Sequence, residues 1–509
     1  MANRMRKSVI NAEVNLIFYF LSLFLAFYSR KIFLQYLGDE FIGLSGTLGN
    51  ILGYLNLAEL GIGSCISFFL YKPLQSNDRH TIQEILSVFG YLYRIIGLII
   101  LVAGITISLT FPWIFNAIEL PITIVYFSFY SFLLSSLIGY FINYRQILLS
   151  ADQKNYIVAI YFQTGGIIKT GVQIYLALLY RNLYLWISIE LLFSIIQCII
   201  LNWKIKKEYP WLHTNKKEGK FLLKKYPTII TNTKQIFIHQ IKDFVLKKSD
   251  ELFIFAFVSL KMVAYYGNYI MITSKISLLF NSVLDSVNAG VGNLVAEGDK
   301  DKMLSVFWEL MTIRHFISGF LCFSIFHLIE PFITLWLGSE YILDHTILIL
   351  LVVYIYITNS RGVVDIYNHA HGLYADVWSA WTELIINVTI TIVAGLTWGI
   401  IGILLGKIVS LIFVVIFWKP YYLFSSGLHM PISVYWNGTI RYYIIFGISF
   451  LAGTIIVKVI PFSPYHSFLS WIYFSGISVA GYSIINFIFL WTFAKGGKEC
   501  LLRILKYRK

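Results

Sequence analysis

Residues 228–259, TIITNTKQIFIHQIKDFVLKKSDELFIFAFVS, form a helix-length stretch in which polar side chains fall in helical register. At about 100° per residue, Gln235, His239, Lys242 and Ser249 lie within about 40° of one line, and the facing positions carry Ile, Phe and Leu. A charge at membrane depth costs at least about 2.5 to 3.5 kcal/mol, so it normally faces water or a partner group. The stretch therefore predicts a membrane helix with Lys242 directed toward a hydrated interior.

Apolar stretches of helix length recur along the whole chain. Of its 509 residues, 58% are hydrophobic and 13% are charged, which excludes an ordinary soluble globular protein. The sequence lacks the alternating polarity of barrel strands, so we expect an all-α polytopic membrane protein. It predicts about 14 transmembrane helices, near residues 9–29, 41–71, 85–110, 121–149, 156–180, 183–203, 228–259, 262–295, 303–329, 341–368, 374–398, 400–418, 438–460 and 466–493.

The basic residues indicate how the chain is oriented. Most of the 40 Lys and Arg residues fall in segments on the same side of the membrane as the N-terminus, above all in 204–225 and in the tail after Phe493. By the positive-inside rule, both termini are expected in the cytoplasm. The basic residues of 204–225 are also candidates for contact with anionic headgroups, the alternative being that they act only as topology signals.

Short internal similarities divide the chain into two halves. Residues 143–145 (NYR) match 359–361 (NSR), and residues 61–63 (GIG) match 290–292 (GVG), in the same order. A repeat whose copies start on the same side is parallel, with its axis along the membrane normal. The predicted division is an N-terminal lobe of about six helices in 1–203, a cytoplasmic basic linker in 204–227, a second six-helix lobe in 228–420, and two additional helices with a basic cytoplasmic tail in 421–509.

Charged residues inside the predicted spans are the first candidates for function. Lys242, Lys275 and Glu59 need water or a counter-charge, so we expect them to line a cavity. Arg145 and Arg361 lie near the cytoplasmic ends of their helices, where snorkelling to the interface is an equal alternative.

The sequence carries no pattern typical of an enzyme or a metal site. GxSxG, P-loop and HExxH motifs are lacking. His369 and His371 would point about 200° apart on a helix and would not converge on an ion. We therefore expect no catalytic residues, no metal or cofactor and no nucleic-acid partner.

Several blocks of sequence carry a resemblance through their order along the chain. They are residues 30–38, 59–64, 70–74, 151–156, 239, 249–250, 266–269, 291–294 and 331–338. In this order the chain resembles the polysaccharide transporters of the multidrug/oligosaccharidyl-lipid/polysaccharide flippase superfamily, whose best-known members are the O-antigen repeat-unit flippases. One departure is that Asp376 is followed by VWSA, where the family usually has a basic residue and a proline. Glu383 is retained.

The resemblance implies both an architecture and a cargo. It implies two six-helix lobes around a central cavity that opens alternately to either side, plus two C-terminal helices. The implied cargo is a polyprenyl-diphosphate-linked oligosaccharide for O-antigen or capsule biosynthesis. The implied setting is the lipid bilayer of a bacterial cytoplasmic (inner) membrane, with the protein as a monomer and a polysaccharide polymerase as a candidate partner.

The diphosphate and the glycan of such a cargo need different side chains. A hydroxyl moved into hydrocarbon without a partner costs about 4 to 8 kcal/mol, so polar groups must line its path. Cations suit a diphosphate. The resulting candidates for the diphosphate are Lys242, Lys275, Arg30, Arg145 and Arg361. The candidates for the glycan are Asn15, Asn56, Gln235 and Asn268. The candidates for a coupled ion are Glu59 and Asp250. The structural alternative is that Asp243 and Asp250 neutralise Lys242 or Lys247 by pairing within the same helix.

Two other functions compete with a flippase. A multidrug antiporter of the same superfamily exports organic cations and predicts an acidic cavity, whereas Lys and Arg within the spans favour an anionic cargo. A membrane polysaccharide polymerase or ligase is expected to have a large external loop with Arg and His, and no predicted external loop is long enough.

Overall fold

The structure, a computed structural model, describes the backbone of residues 2–59, 62–152, 154–215, 217–284, 287–373 and 376–506. It also describes their side chains, except those of residues 2–16, 58, 64, 155, 232, 234–240, 242–243, 247, 282–283, 288–289, 501 and 504–506. Across this described part the backbone is mostly helical and contains no strand, which confirms the predicted all-α class.

The chain divides into two compact units. The first comprises Met1–Phe255 and Ser259–Ala264, and the second comprises Ala256–Val258 and Tyr265–Lys509. The helices that begin in the first unit are α1 (Ala2–Leu37), α2 (Asp39–Leu55), α3 (Ile62–Ser76), α4 (Arg79–Ser108), α5 (Phe111–Ile114), α6 (Ile122–Phe141), α7 (Gln146–Ala151), α8 (Asn155–Tyr180), α9 (Leu183–Glu208), α10 (Gly219–Leu222), α11 (Thr228–Phe257) and α12 (Leu260–Leu284).

The second unit takes most of α12 and ten further helices. They are α13 (Asn288–Glu297), α14 (Lys300–Trp336), α15 (His345–Ser360), α16 (Gly362–Ala370), α17 (Val377–Trp398), α18 (Ile400–Leu411), α19 (Lys419–Tyr422), α20 (Ser433–Val459), α21 (Phe468–Phe493) and α22 (Gly497–Lys506). The backbone on either side of α19, Ile412–Trp418 and Leu423–Gly427, is π-helical.

Polar side chains fix where several long helices begin. Asp78, Asn182, Asp299 and Ser467 each accept a hydrogen bond from the backbone N–H three residues further on, and Asp344 accepts one from two residues on. Such a cap replaces a hydrogen bond that the first turn of a helix lacks. The short polar turns therefore separate the long apolar helices.

Apolar side chains on the outside of the long helices fit a lipid environment. On α4, Ile95, Leu98, Val102 and Ile105 are exposed at helical spacing. Within the described residues, ten helical segments are long and apolar enough to cross a membrane. The chain is therefore a multi-pass membrane protein.

Four of the helices predicted to be continuous are interrupted in the structure. The predicted helix 41–71 ends its α-helical part at Leu55, passes through a 3₁₀ turn over Asn56–Glu59 and resumes at Ile62. The predicted helices 121–149, 262–295 and 341–368 are also divided. The prediction was wrong at these points because an apolar pattern continues across a short break without any change of composition.

The boundary between the units lies further along the chain than the basic linker. The side chains of α11 pack against α2, where the Nδ2 of Asn50 donates to Glu251 at 2.5 Å and the ring of Phe244 lies against Gly53. These contacts place α11 in the first unit, whereas the sequence assigned it to the second lobe. The functional division into lobes stays a prediction.

Candidate functional site

A polar cavity of about 480 Å³ lies in the second unit, where α12 to α16 come together. Its lining consists of Asn281, Gly292, Arg314, Thr358, Arg361, Gly362, Asp365, Ile366, His369 and Ala370. Two arginines face one aspartate in this lining. The cavity therefore suits an anionic ligand, for which a guanidinium offers two parallel hydrogen bonds.

Arg314 is the deeply buried charge of this cavity. Its side chain is 5% exposed, and its Nη1 donates to the Oδ1 of Asn281 at 3.0 Å. The Nδ2 of Asn281 donates in turn to the Oδ1 of Asn359 at 3.1 Å. A buried guanidinium loses its hydration and needs such partners. The two amides consequently fix the position of the guanidinium at the cavity wall.

A glycine at the start of α16 makes room for this guanidinium. A Cβ atom at Gly362 would lie 2.5 Å from the Cζ of Arg314 and 2.7 Å from its Nη1. Real Cβ atoms do not approach other atoms so closely, so any larger residue at position 362 would push the guanidinium out of its present place. Gly362 is therefore part of what positions Arg314.

Arg361 lies at the junction of α15 and α16 and lines the same cavity. Its Nε lies 3.2 Å from the Oδ2 of Asp365, and both side chains are about one-third exposed. His369 lies one helical turn after Asp365 and lines the same cavity. The exposure leaves Arg361 accessible to a ligand, while its partner limits how far it can move. A role in binding stays a prediction.

In the first unit, Glu59 is the centre of a hydrogen-bonded cluster. Its Oε1 accepts from the hydroxyl of Tyr93, and its Oε2 accepts from the hydroxyl of Tyr140 at 2.6 Å. Tyr140 and Ser136 also donate to the Oδ1 of Asn56, at 3.0 and 3.1 Å. The 3₁₀ turn between α2 and α3 thus brings two predicted site residues together. Both already bond to protein groups.

The other basic candidates of the first unit do not join this cluster. The Nη2 of Arg30 donates to the carbonyl oxygen of Ala264 at 2.9 Å. Arg145 lies in a 3₁₀ turn between α6 and α7, where its Nη2 donates to the Oγ1 of Thr214 at 2.9 Å. Tyr144 bonds to the same hydroxyl at 2.8 Å. Arg145 therefore also anchors the basic linker.

Three further candidates lie on α11 and α12. Asp250 and Asn268 are buried, and Lys275 is half-buried. Because Asn268 is 0% exposed, contact with a glycan would require its surroundings to move. The side chains of Asn15, Gln235 and Lys242 lie outside the described residues.

Asp376, where the sequence departs from the polysaccharide transporters, acquires a basic partner from another helix. The Nζ of Lys419 lies 2.7 Å from its Oδ2, and Trp418 and Ser379 also donate to this oxygen. Burial raises the pKa of the Asp376 carboxyl, but these partners outweigh it and hold the pKa below its ordinary value. Lys419 of α19 thus supplies the basic group that the residues following Asp376 in the sequence do not provide.

A second cavity, of about 460 Å³, runs between α20 and α21. It is lined by Arg441, Ile444, Ile445, Ile448, Phe489 and Phe493. The lining is apolar apart from one guanidinium, so it suits a hydrocarbon chain rather than a polar ligand.

Arg314 and Asn281 were not predicted from the sequence. Both lie within predicted spans, but neither belongs to a long polar stripe, and their partners come from other helices. The position of Arg314 well inside an apolar helix was the available signal, because an arginine at that depth needs a partner or water.

Two solved structures resemble this fold over most of the chain. One is the lipid II flippase MurJ in an inward closed conformation, with a TM-score of 0.66, 16% identity, and coverage of 93% of this chain and 98% of that one. The other is a multidrug resistance MATE family transporter of the MOP superfamily, inward-facing, with a TM-score of 0.57, 15% identity, and coverage of 82% and 99%.

The chain shares its fold with these two proteins. No protein-family model matches the sequence, and no curated protein sequence matches it either. The narrower resemblance to the polysaccharide transporters within the MOP superfamily therefore rests on the sequence blocks given above.

Proposed function

We propose that this protein is a flippase that exports a polyprenyl-diphosphate-linked oligosaccharide across the cytoplasmic membrane by alternating access. The arginine-lined cavity of the second unit, in a chain that shares the fold of MurJ and a MATE family transporter, carries this proposal. Two guanidinium groups in this polar cavity would repel an organic cation. A diphosphate suits them, because each guanidinium can bind two phosphate oxygens.

The proposed diphosphate site has Arg314 and Arg361 as its centre. Arg314 is held in place before the ligand arrives, so little side-chain freedom is lost on binding. Arg361 is more exposed and can exchange Asp365 for a phosphate oxygen. The further candidates for phosphate contacts along the path are Lys242, Lys275, Arg30 and Arg145.

The other two parts of the cargo need surfaces of different polarity. The apolar cavity between α20 and α21 fits a segment of the polyprenyl chain. The guanidinium of Arg441 is the one charged group in the lining of this cavity. The proposed glycan contacts are Asn15, Asn56, Gln235 and Asn268. This division gives the last two long helices a role in holding the lipid.

The membrane potential favours export of such a cargo. Moving negative charge out of a negative-inside cell is downhill by about 2.3 kcal/mol per charge per 100 mV. A coupled ion is therefore not required. If one is used, Glu59 and Asp250 are the proposed carriers, and unchanged export by the double variant Glu59→Gln, Asp250→Asn would exclude both.

The setting proposed for this activity follows from the same cargo. The protein would act as a monomer in the inner membrane of a bacterium, with both termini in the cytoplasm. It would supply a polysaccharide polymerase on the outer face with repeat units for O-antigen or capsule.

Leaflet transfer in proteoliposomes tests the proposed cargo. The probes are a fluorescent polyprenyl-diphosphate oligosaccharide, read with an impermeant quencher, and a fluorescent organic cation. We expect the wild-type protein to transfer the diphosphate lipid and not the cation. Transfer of the cation alone would contradict the proposal and indicate a multidrug antiporter.

A further inference from the structure

The basic linker is folded onto the end of the first unit rather than hanging free. The carboxylate of Glu84 accepts from the Nζ of Lys225 at 2.7 Å and from the hydroxyl of Tyr226 at 2.6 Å. The backbone N–H of Asn215 donates to the Oγ of Ser87 at 3.0 Å. Both ends of α10 are thus tied to the first turns of α4.

Close backbone packing fixes α10 itself. A Cβ atom at Gly219 would lie 2.3 Å from the carbonyl oxygen of Ser87 and 2.7 Å from the Cβ of Tyr91. Only a glycine allows the two backbones to approach in this way. The side chains on the opposite face of α10 are therefore presented in a fixed place.

That face combines one aromatic ring with several cations. Phe221 is 73% exposed, and Lys217, Lys220 and Lys224 on either side of it are exposed as well. Within the described residues these three ammonium groups form no ion pair. Glu218 is the acid beside them, and its Oε1 accepts from Asn215 at 2.6 Å. An exposed aromatic ring among lysines is the composition of a segment that lies in a membrane interface.

The position of α10 along α4 gives the depth of this face. The run of exposed apolar residues on α4 starts at Ile95, directly after the exposed Arg94. Gly219 contacts α4 at Ser87 and Tyr91, four to eight residues earlier, which is about 6 to 12 Å along a helix. The headgroup region of a bilayer extends about 5 to 8 Å beyond the hydrocarbon on each side. The two ranges overlap between about 6 and 8 Å, which places α10 at the outer part of the headgroup region.

We propose that Phe221, Lys217, Lys220 and Lys224 form a docking surface for anionic phospholipid headgroups in the leaflet on the linker's side of the membrane. The lysines bind phosphate groups, and the ring lies among the headgroups. The surface anchors the first unit to the bilayer. It is independent of the cargo proposed above.

Depth measurement by spin labelling tests this surface in the full chain. Phe221→Cys is labelled with a nitroxide, and the four native cysteines, Cys65, Cys198, Cys322 and Cys500, are buried and so poorly placed to react. The protein is reconstituted in vesicles of phosphatidylcholine with phosphatidylglycerol at equal amounts, and in phosphatidylcholine alone. We expect the accessibility of the label to a water-soluble nickel chelate to fall at least about threefold in the anionic vesicles, and this difference to vanish in high salt.

Two sets of charge variants distinguish the effect of these three lysines from a general effect of net charge. In the triple variant Lys217→Gln, Lys220→Gln, Lys224→Gln, we expect the label to remain accessible in both vesicles. A control variant neutralises three exposed lysines outside the basic linker, Lys72, Lys300 and Lys498, and should behave like the parent. Equal accessibility of the parent label in both vesicles would overturn the proposal and leave the surface to an acidic protein partner.

Discussion

At the scale of single residues, the site depends on groups that hold Arg314 rather than on Arg314 alone. Its guanidinium is fixed between the Asn281 amide and the backbone at Gly362. The sequence pointed to Arg361 because it is a cation within a predicted span. It did not point to Arg314, whose partners are separated from it by tens of residues and converge only in the folded chain.

Adding one methyl group next to Arg314 should abolish its function without unfolding the protein. Gly362→Ala places a Cβ where the guanidinium now lies, so the side chain must leave its position. We expect diphosphate-lipid transfer to fall at least about tenfold, equivalent to about 1.4 kcal/mol. The assay is leaflet transfer in proteoliposomes at matched protein amounts.

A glycine with open space around it provides the control for this substitution. Gly447→Ala, in α20, meets no atom within 4 Å and should transfer lipid at the wild-type rate. Wild-type transfer by Gly362→Ala would show that the position of Arg314 does not matter for transport.

At the scale of helices, the sequence did not reveal where the long predicted helices are interrupted. Asn56, Glu59, Arg145 and Arg361 all lie at or beside turns that interrupt longer helices. Hydrophobic periodicity locates membrane helices well, because lipid demands an apolar outer face along the whole span. It does not report a break in which freed backbone groups are satisfied by neighbouring helices.

The ion pair between Asp376 and Lys419 predicts a pH dependence of stability. Because the folded pKa of Asp376 lies below its ordinary value, its contribution is complete above the unfolded pKa of about 3.9 and is lost as the pH falls through the folded pKa. The Tm of the wild-type protein should therefore fall more steeply below about pH 4 than that of Asp376→Asn. Parallel Tm curves for the two proteins would contradict this contribution.

The C-terminal helix α22 should stabilise the start of α14. The Nε of Arg503 lies 3.0 Å from the Oε2 of Glu309, whose side chain is 7% exposed. Arg503→Gln leaves that buried carboxylate with Ser305 as a neutral donor, so we expect a loss of about 1 to 3 kcal/mol in unfolding free energy. Thermal unfolding in detergent measures this, with the exposed Lys498→Gln on the same helix as the control. Equal Tm values for the two variants would contradict the prediction.

At the scale of the whole molecule, composition was sufficient for the class and the approximate number of helices. Each predicted span corresponds to a helix or to a pair of helices in the structure. The fold then matches that of the lipid II flippase MurJ at 16% identity and that of a MATE family transporter at 15% identity. Sequence similarity this low shows the fold, so the cargo has to be argued from the charges of the cavity.

The central claim is that Arg314 binds the diphosphate of an exported glycolipid. Its most direct test is leaflet transfer of a polyprenyl-diphosphate oligosaccharide by the wild-type protein, Arg314→Gln and Arg181→Gln in matched proteoliposomes. Arg181 is an exposed arginine outside the cavity. We predict transfer by the wild-type protein and Arg181→Gln, and a loss of at least about tenfold in Arg314→Gln. Equal transfer by all three proteins would contradict the claim.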